Sequence, residues 1–463
     1  MYEQQTINTF KHEIGLRLLK LVNLLLMVVP FAVSWFLYYD GLTAVRYYWK
    51  GDVAIIVFFA LLYFYFGKTY DAFLISHFRT TDIVSSQALS LFLSDGLFYA
   101  VMFFLAKRLV NPMPLILVFA DQVAISMVWT TIAQWIYFKW FPAKKSIIVY
   151  DVRKGMRELI DKYGLSKKFD VRKTMSAEEC LADLSVIDEM DVVFLSGIHS
   201  HDRNVILKYC LYRNKQVYMI PRIGDVLMRS ARTMHMFNLP ILRVNRYSPN
   251  PLYLVIKRCF DIVFSLVALI LLIPVFIVTA IAVKTSDKGP VFYKQLRLTK
   301  NGKRFYIHKF RSMRVDAEGD GVARLSSGDS DSRVTPVGRV IRKLRIDELP
   351  QLIDVLAGNL SLVGPRPERP EIAEEYMKSM PEFQLRLQCK AGLTGYAQVY
   401  GKYNTTPYDK LHMDLMYIAN PSIIEDIRIC FATIKILFTP DSTEGIAEGQ
   451  TTAMDNRQKQ QEG

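Results

Sequence analysis

The sequence predicts a membrane protein in three parts: a membrane α-helical N-terminal bundle, an α/β middle domain, and a C-terminal domain entered through a kinked apolar helix. Three observations predict it. Four apolar stretches fill the N-terminal part of the chain, strand-like and helix-like segments then alternate, and a fifth apolar stretch interrupted by Pro274 follows. Of 463 residues 51% are hydrophobic and 13% aromatic, and the mean hydropathy is +0.15, a balance that favours membrane residence over a soluble class.

The formal charge of +14 fits basic flanks of membrane spans and attraction to anionic lipid headgroups. It does not point to nucleic acid, because the basic residues cluster beside apolar spans and no nucleic-acid module is recognisable. The five cysteines, Cys180, Cys210, Cys259, Cys389 and Cys430, are scattered without CxxC spacing. That argues for a reducing compartment and against disulfides or a zinc site. The first apolar run is long and lacks a small-residue cleavage motif, so no cleavable signal peptide is expected.

The apolar stretches of the bundle, assigned to 1–143, run from Leu18 to Tyr39, Val53 to Phe66, Ala88 to Ala106 and Leu115 to Phe138. The first, third and fourth approach the ~20 residues that cross a bilayer. The second does so only if Tyr47 to Trp49 extend it. Lys11, Arg17 and Lys20, then Lys68 and Arg79, then Lys139, Lys144 and Lys145 place the N-terminus and the exit on the cytoplasmic side; Lys107 and Arg108 go against this scheme.

Residues 144–247 read as an α/β unit. Ile147 to Tyr150, Val192 to Leu195 and Val217 to Ile220 have the look of buried parallel strands, with helices around Met156 to Tyr163, Ala177 to Asp183 and Asn204 to Arg213. A dinucleotide site needs a Gly-rich turn after the first strand. Asp151-Val152-Arg153-Lys154-Gly155 offers a single glycine, so nucleotide binding here is not expected.

The fifth apolar stretch, Ile262 to Val283, is long enough to span, but Lys257 and Arg258 precede it and Lys284, Lys288 and Lys294 follow. Both ends therefore ask for the same side of the membrane. Pro274 removes a backbone hydrogen bond and clashes with the preceding turn, which lets the chain dip in and return as a re-entrant helix-break-helix. The domain it opens is assigned to 248–439; Ile423 to Phe438 looks like an amphipathic surface helix, and 440–463 is a polar, disordered tail.

The segment Asp331 to Glu368 carries the chemistry. An adjacent acid pair, Asp347 and Glu348, lies between arginines, with Pro350 at the first turn of a helix whose apolar face is Leu349, Leu352, Ile353 and Leu356 and whose cap is Gly358. Carboxylates kept ionised at a helix start, beside several cations, suit a metal-bridged phosphate and phosphoryl transfer. A nucleophilic carboxylate splits one difficult transfer into two.

The strings RKLRIDELPQL (Arg342 to Leu352), LSLVGPRPE, Lys309-Phe310-Arg311-Ser312-Met313 and GLTGYAQVYGK occur in order, and over Tyr253 to Phe438 the chain resembles the bacterial sugar transferases, the polyprenyl-phosphate hexose-1-phosphate transferases. The resemblance implies an α+β catalytic domain with a re-entrant membrane helix, and it makes the middle domain similar to the Rossmann-like domain of the larger members. It implies Asp347 as nucleophile and Glu348 as magnesium ligand or acid/base partner, with both carboxylates near the metal and Mn2+ as a substitute for Mg2+. It matches Arg342 and Arg366 to phosphate binding, and adds Lys309, Arg311, Asp414 and Lys390 as substrate contacts. A planar guanidinium on the stiff Pro365-Arg366-Pro367 backbone suits bidentate phosphate recognition. In a strand, Lys309 and Arg311 share a face.

The implied substrates are a UDP-sugar and undecaprenyl phosphate, with glucose or galactose favoured. The implied place is a bacterial plasma membrane with the catalytic domain on the cytoplasmic face, where capsule, exopolysaccharide or O-antigen synthesis begins. Departures are present. Lys390-Ala391-Gly392 replaces the family's Arg-Pro-Gly, Tyr400-Gly401-Lys402 its Asn-Gly-Arg, and Ile273 the serine before Pro274. These keep alive a second reading, a non-catalytic membrane scaffold. A third, an NAD-dependent nucleotide-sugar dehydratase, lacks its glycine turn. His199 and His201 are expected to be surface residues rather than metal ligands. Tyr253 and Lys257 mimic an oxidoreductase pair by coincidence. A homodimer through the middle domain is left open.

Overall fold

The computed structural model describes residues 2–44, 48–315, 333–401 and 406–437, with side chains from His12 onward. Lys402 and the tail 440–463 lie outside the described residues. The chain divides into two compact units, Met1–Ile220 and Pro221–Gly463.

The first unit opens with four helices, α1 (Tyr2–Ser34), α2 (Trp49–Thr69), α3 (Thr80–Ala106) and α4 (Met113–Trp140). Each is long and apolar enough to cross a membrane, α1 continuing through a π-helical turn to give His12–Leu42. The second, too short from its apolar run alone, gains its length from Trp49 to Asp52 and Gly67 to Thr69, whereas Tyr48 is extended and Tyr47 lies outside the described residues. Their inner faces are aromatic and polar: Phe31 stacks on Phe59 at 3.8 Å, and Tyr63 donates to Asn23 at 2.7 Å. Buried polar groups paired across helices fix register where lipid-like packing alone does not.

There follow β1 (Lys144–Tyr150), α5 (Met156–Lys162), β2 (Phe169–Ser176), α6 (Ala177–Ala182), β3 (Val192–Ser196), α7 (Ser200–Tyr212) and β4 (Gln216–Met219). The strands form one parallel sheet, order β2-β1-β3-β4. β1 and β3 are buried along most of their length, as apolar runs covered on both faces must be. The edge strand β2 is absent from the sequence reading, because its FDVRKTMS pattern is mostly polar. The turn after β1 closes on its neighbour: Asp151 N–H donates to the Ser196 carbonyl at 3.2 Å, Ser196 Oγ to the Arg153 carbonyl at 2.9 Å. A Cβ on Gly197 would stand 2.7 Å from the Arg153 nitrogen. The crevice where an open α/β sheet takes its ligands is thus bridged by the protein's own backbone.

The second unit begins with α8 (Ile223–Arg229) and a hairpin of β5 (Arg232–Met236) and β6 (Leu239–Arg243). The sequence reading groups α8 with the middle domain, yet its Val226 is buried in the C-terminal core beside Leu411 and Leu415. Two helices follow, α9 (Pro251–Leu271) and α10 (Ile273–Asp287), meeting at 63°. The break falls at Leu272, and Pro274 lies in the first turn of α10, where its missing N–H has no helical partner to lose.

The rest is mixed α/β: an antiparallel pair β7 (Phe292–Leu298) and β8 (Arg304–Phe310), α11 (Pro336–Lys343), α12 (Gln351–Leu356), β9 (Ser361–Val363), α13 (Pro370–Ser379), β10 (Gly392–Thr394) parallel to β9, then α14 (Tyr396–Tyr400), α15 (Pro407–Ala419) and α16 (Ile423–Leu437). α16 sends Asp426 and Ile429 into the core and leaves Ile424 exposed.

Candidate active site

The acid pair sits on a single 3-10 turn, Ile346–Glu348, between α11 and α12. Arg345, which opens that turn, has φ 53°, the left-handed region that a side chain with a Cβ adopts only at a cost of about 1–2 kcal/mol. The strain reverses the chain sharply enough to bring α11 and α12 to either side of the acids. Pro350 precedes α12, and Gly358, φ 83°, ends it by accepting the left-handed conformation without strain.

Glu348 is held by cations. Arg366 Nη2 donates to its Oε1 at 2.7 Å, Lys309 Nζ lies 3.4 Å from the same oxygen, and Arg345 Nη1 lies 4.0 Å from Oε2. Burial works against its charge, but Arg366, Lys309 and Arg345 outweigh it and hold the carboxyl far below the usual range. Asp347 differs. It is buried and makes no hydrogen bond or ion pair among the described residues. Burial, and then the Glu348 charge beside it, push its carboxyl above the usual carboxylate range, against Lys309, Arg342 and Arg366. Two adjacent carboxyls thus sit in environments that push their titrations apart.

Arg366 follows β9. Gly364 lets that strand approach closely: a Cβ there would meet the Lys390 carbonyl oxygen at 2.4 Å. The Arg366 side chain is 40% exposed while its Nη2 holds Glu348. Behind it, Arg386 pairs with Asp414 at 2.7 Å and with Glu368 at 3.4 Å, and donates to the Arg366 carbonyl at 2.9 Å. Arg297 donates to the Pro367 carbonyl at 2.9 Å. A small cavity lined in part by Arg366, Glu368, Arg386 and Cys389 opens beside this network.

Of the residues singled out in the sequence, Asp347, Glu348, Lys309 and Arg366 come together. Arg342 is near enough to stabilise a charge on Asp347, and its side chain makes no hydrogen bond or ion pair among the described residues. The others have different surroundings. Arg311 leaves the strand after Phe310 and is ion-paired with Asp287 at the end of α10, so the shared face expected for Lys309 and Arg311 does not form. Asp414 is buried and paired with Arg386, which separates it from the acid pair's own contacts. Lys390 lies beside Gly358 at the far end of α12, where burial and then the Arg258 charge lower its ammonium. His199 stands 3.6 Å from Asp151, and among the described residues no group of three or more His, Cys, Asp and Glu gathers to hold a metal. Tyr253 and Lys257 converge on Asp426, at 3.0 and 2.9 Å, which gives that pair a structural duty.

A magnesium ion takes one or two carboxylates and fills its remaining positions with water and phosphate oxygens. The acid pair fits that donor set, since the Asp347 carboxylate makes no hydrogen bond or ion pair among the described residues, but only with a phosphate supplying the rest.

Residues 252–440 match the bacterial sugar transferase family. The chain is 37% identical over 236 residues to the UDP-N-acetylgalactosamine-undecaprenyl-phosphate N-acetylgalactosaminephosphotransferase of Aeromonas hydrophila, covering 50% of this chain and 55% of that protein. It is 37% identical over 223 residues to the UDP-glucose:undecaprenyl-phosphate glucose-1-phosphate transferase of Klebsiella pneumoniae, covering 47% and 48%. These matches therefore span about half of each relative's length. The exopolysaccharide production protein PSS of Rhizobium leguminosarum bv. phaseoli is 40% identical over 190 residues, which are 39% of this chain and 94% of that protein. With nearly the whole of that smaller relative matched, and with residues 252–440 fitting the family's pattern, the chain belongs to the bacterial sugar transferase family.

Proposed function

We propose that this chain is a phosphoglycosyl transferase that moves a hexose 1-phosphate from a UDP-sugar to undecaprenyl phosphate, at the cytoplasmic face of a bacterial plasma membrane. One observation carries the mechanism: Asp347 is buried and its side chain makes no hydrogen bond or ion pair among the described residues, while its neighbour Glu348 is paired through Oε1 with Arg366 and Lys309. An Asp347 oxygen attacks the β-phosphorus, the bond to the bridging oxygen breaks, and UMP leaves with that electron pair. The aspartyl-phosphosugar is then attacked by the phosphate of undecaprenyl phosphate, which releases Asp347 and gives undecaprenyl-diphosphate-sugar. Arg366 and Arg342 face the phosphoryl oxygens, and Lys309 keeps Glu348 ionised. Mg2+ or Mn2+, held by Asp347 and Glu348 with the diphosphate, would offset charge on the transferred group. The α9–α10 pair is read as re-entrant, which brings the acids to headgroup depth, and the parallel sheet of the first unit as Rossmann-like without a nucleotide.

The relatives' names support glucose and N-acetylgalactosamine as sugars to test beside galactose. UMP release from a panel of UDP-sugars, by membranes holding the chain and undecaprenyl phosphate, tests the reading; release from none of them removes it. Chelation by EDTA is expected to lower that release at least ~100-fold, with recovery on adding Mg2+. Full activity in EDTA would remove the metal from the account.

Acid should also inhibit in a defined place. Attack needs Asp347 deprotonated, and its carboxyl titrates above the usual range because of burial and Glu348. Activity is therefore complete above that raised pKa and is lost as pH falls through it. The acid limb of kcat/KM for the free enzyme is expected above pH ~4, the ordinary aspartate range. A limb at or below that range would contradict the assignment.

A further inference from the structure

The inner face of α9 carries a stripe of polar residues at helical spacing, Tyr253, Lys257, Arg258, Asp261 and Ser265, within an otherwise apolar helix. Two of them grip different halves of the candidate site. Arg258 donates from Nη1 to the Val355 carbonyl at 2.7 Å and from Nη2 to the Leu356 carbonyl at 2.8 Å, capping the end of α12. Asp261, 3% exposed, accepts from the Leu362 N–H at 3.0 Å and from Ser361 Oγ at 2.9 Å, on β9. α12 follows the turn of Asp347 and Glu348, and β9 leads to Arg366. One helix therefore holds both the acid pair and the arginine that faces it. The opposite face of α9 shows Leu252, Val255, Val263, Leu266 and Ile270, all exposed and apolar, as a face against lipid requires.

We propose that Arg258 and Asp261 are positioning residues which set the placement of Arg366 against Asp347 and Glu348, so that the bilayer around α9 governs the turnover of the enzyme. The physical reason lies in two stiffnesses. A charge-assisted pair of hydrogen bonds inside the protein shifts its partners rather than breaking. A bilayer thicker or thinner than a helix's apolar length tilts or displaces that helix. Arg258 grips α12 and Asp261, three residues on, grips β9; at ~1.5 Å rise per residue a tilt of α9 moves these two anchors by different amounts, so α12 and β9 shift relative to one another. Misplacement of a catalytic group by about 1 Å can cost 10²-fold in rate.

This inference rests on the phosphoglycosyl transferase reading, and its test separates the two. The full chain is placed in phosphatidylcholine nanodiscs whose acyl chains have about 14, 18 or 22 carbons. UMP release gives kcat and KM, and hydrogen exchange follows the Leu362 amide in the same discs. The wild type is expected to show a best thickness, with kcat falling about tenfold away from it, KM for the UDP-sugar steady within about twofold, and Leu362 exchange rising as kcat falls. Asp261→Asn keeps the shape but loses an acceptor, and should lose about tenfold in kcat at the best thickness with a flattened profile. Ser361→Ala removes one of the two bonds on the other partner, and should behave in the same direction if the first variant fails to fold. A wild type with constant kcat and constant Leu362 exchange across all discs overturns the proposal, as do variants that keep the wild-type kcat and profile. A chain that releases no UMP in any disc overturns the transferase reading instead, and the exchange of Leu362 then decides this proposal by itself.

Discussion

Asp347→Asn is expected to lower sugar-phosphate transfer at least ~10³-fold while leaving the fold as stable as before, or more so. The two halves of that outcome have separate causes. An amide oxygen is too poor a nucleophile to open a diphosphate, so chemistry stops. Asp347 makes no hydrogen bond or ion pair among the described residues, so the isosteric amide breaks none of these. It also removes a buried negative charge beside Glu348, one of the causes that raise the Asp347 carboxyl. Incubation with a UDP-sugar labelled in its β-phosphate should leave label on the wild-type chain after rapid quenching and none on the variant. Turnover of the variant within tenfold of wild type would exclude Asp347 as the nucleophile. Loss of activity together with loss of folded protein would instead mean that the acid is structural.

What was legible in the sequence was what is local. The acid pair, Pro350, Gly358 and the arginine between prolines lie in one short stretch whose turn chemistry dictates its course, and Glu348 and Arg366 do meet. The apolar runs identify α1 to α4 for the same reason, since length and hydropathy alone decide such helices. What failed was the choice of distant partners. Strand alternation put Lys309 and Arg311 together, but the strand ends at Phe310, and an alternation rule does not extend into a loop. Arg386 and Glu368, which brace Arg366, carried no signal beyond position next to known motifs. The left-handed Arg345 was invisible because the residue expected there is glycine or asparagine. The polar stripe of α9 was a different case. Tyr253, Lys257, Asp261 and Ser265 recur every fourth residue inside an apolar run, a spacing that marks a face turned away from lipid, but the sequence reading took Lys257 as a basic flank and missed the stripe.

Asp414→Ala is expected to destabilise the C-terminal unit by about 3–5 kcal/mol, the cost of leaving one partner of a buried ion pair without the other. Asp414 is 1% exposed and Arg386 4%, and they lie 2.7 Å apart, so water cannot replace the lost carboxylate. Glu368 stays with Arg386 at 3.4 Å and offsets part of the loss, which favours the lower end of that range. A unit of this size loses roughly 2–4 °C in Tm per kcal/mol, so thermal unfolding in detergent should move down by about 6–20 °C. Exchanging both partners for apolar residues of similar volume, Asp414→Leu with Arg386→Met, should recover only part of that stability, because the desolvation of the pair is removed along with its attraction while Glu368 and the Arg366 carbonyl lose their partner. It should not recover activity, since Arg386 also holds the backbone carbonyl of Arg366 at 2.9 Å and Met cannot donate. A single variant with unchanged Tm and a raised KM for the UDP-sugar would return Asp414 to direct contact with substrate; loss of Tm with KM preserved in the folded fraction keeps it as the anchor of Arg386.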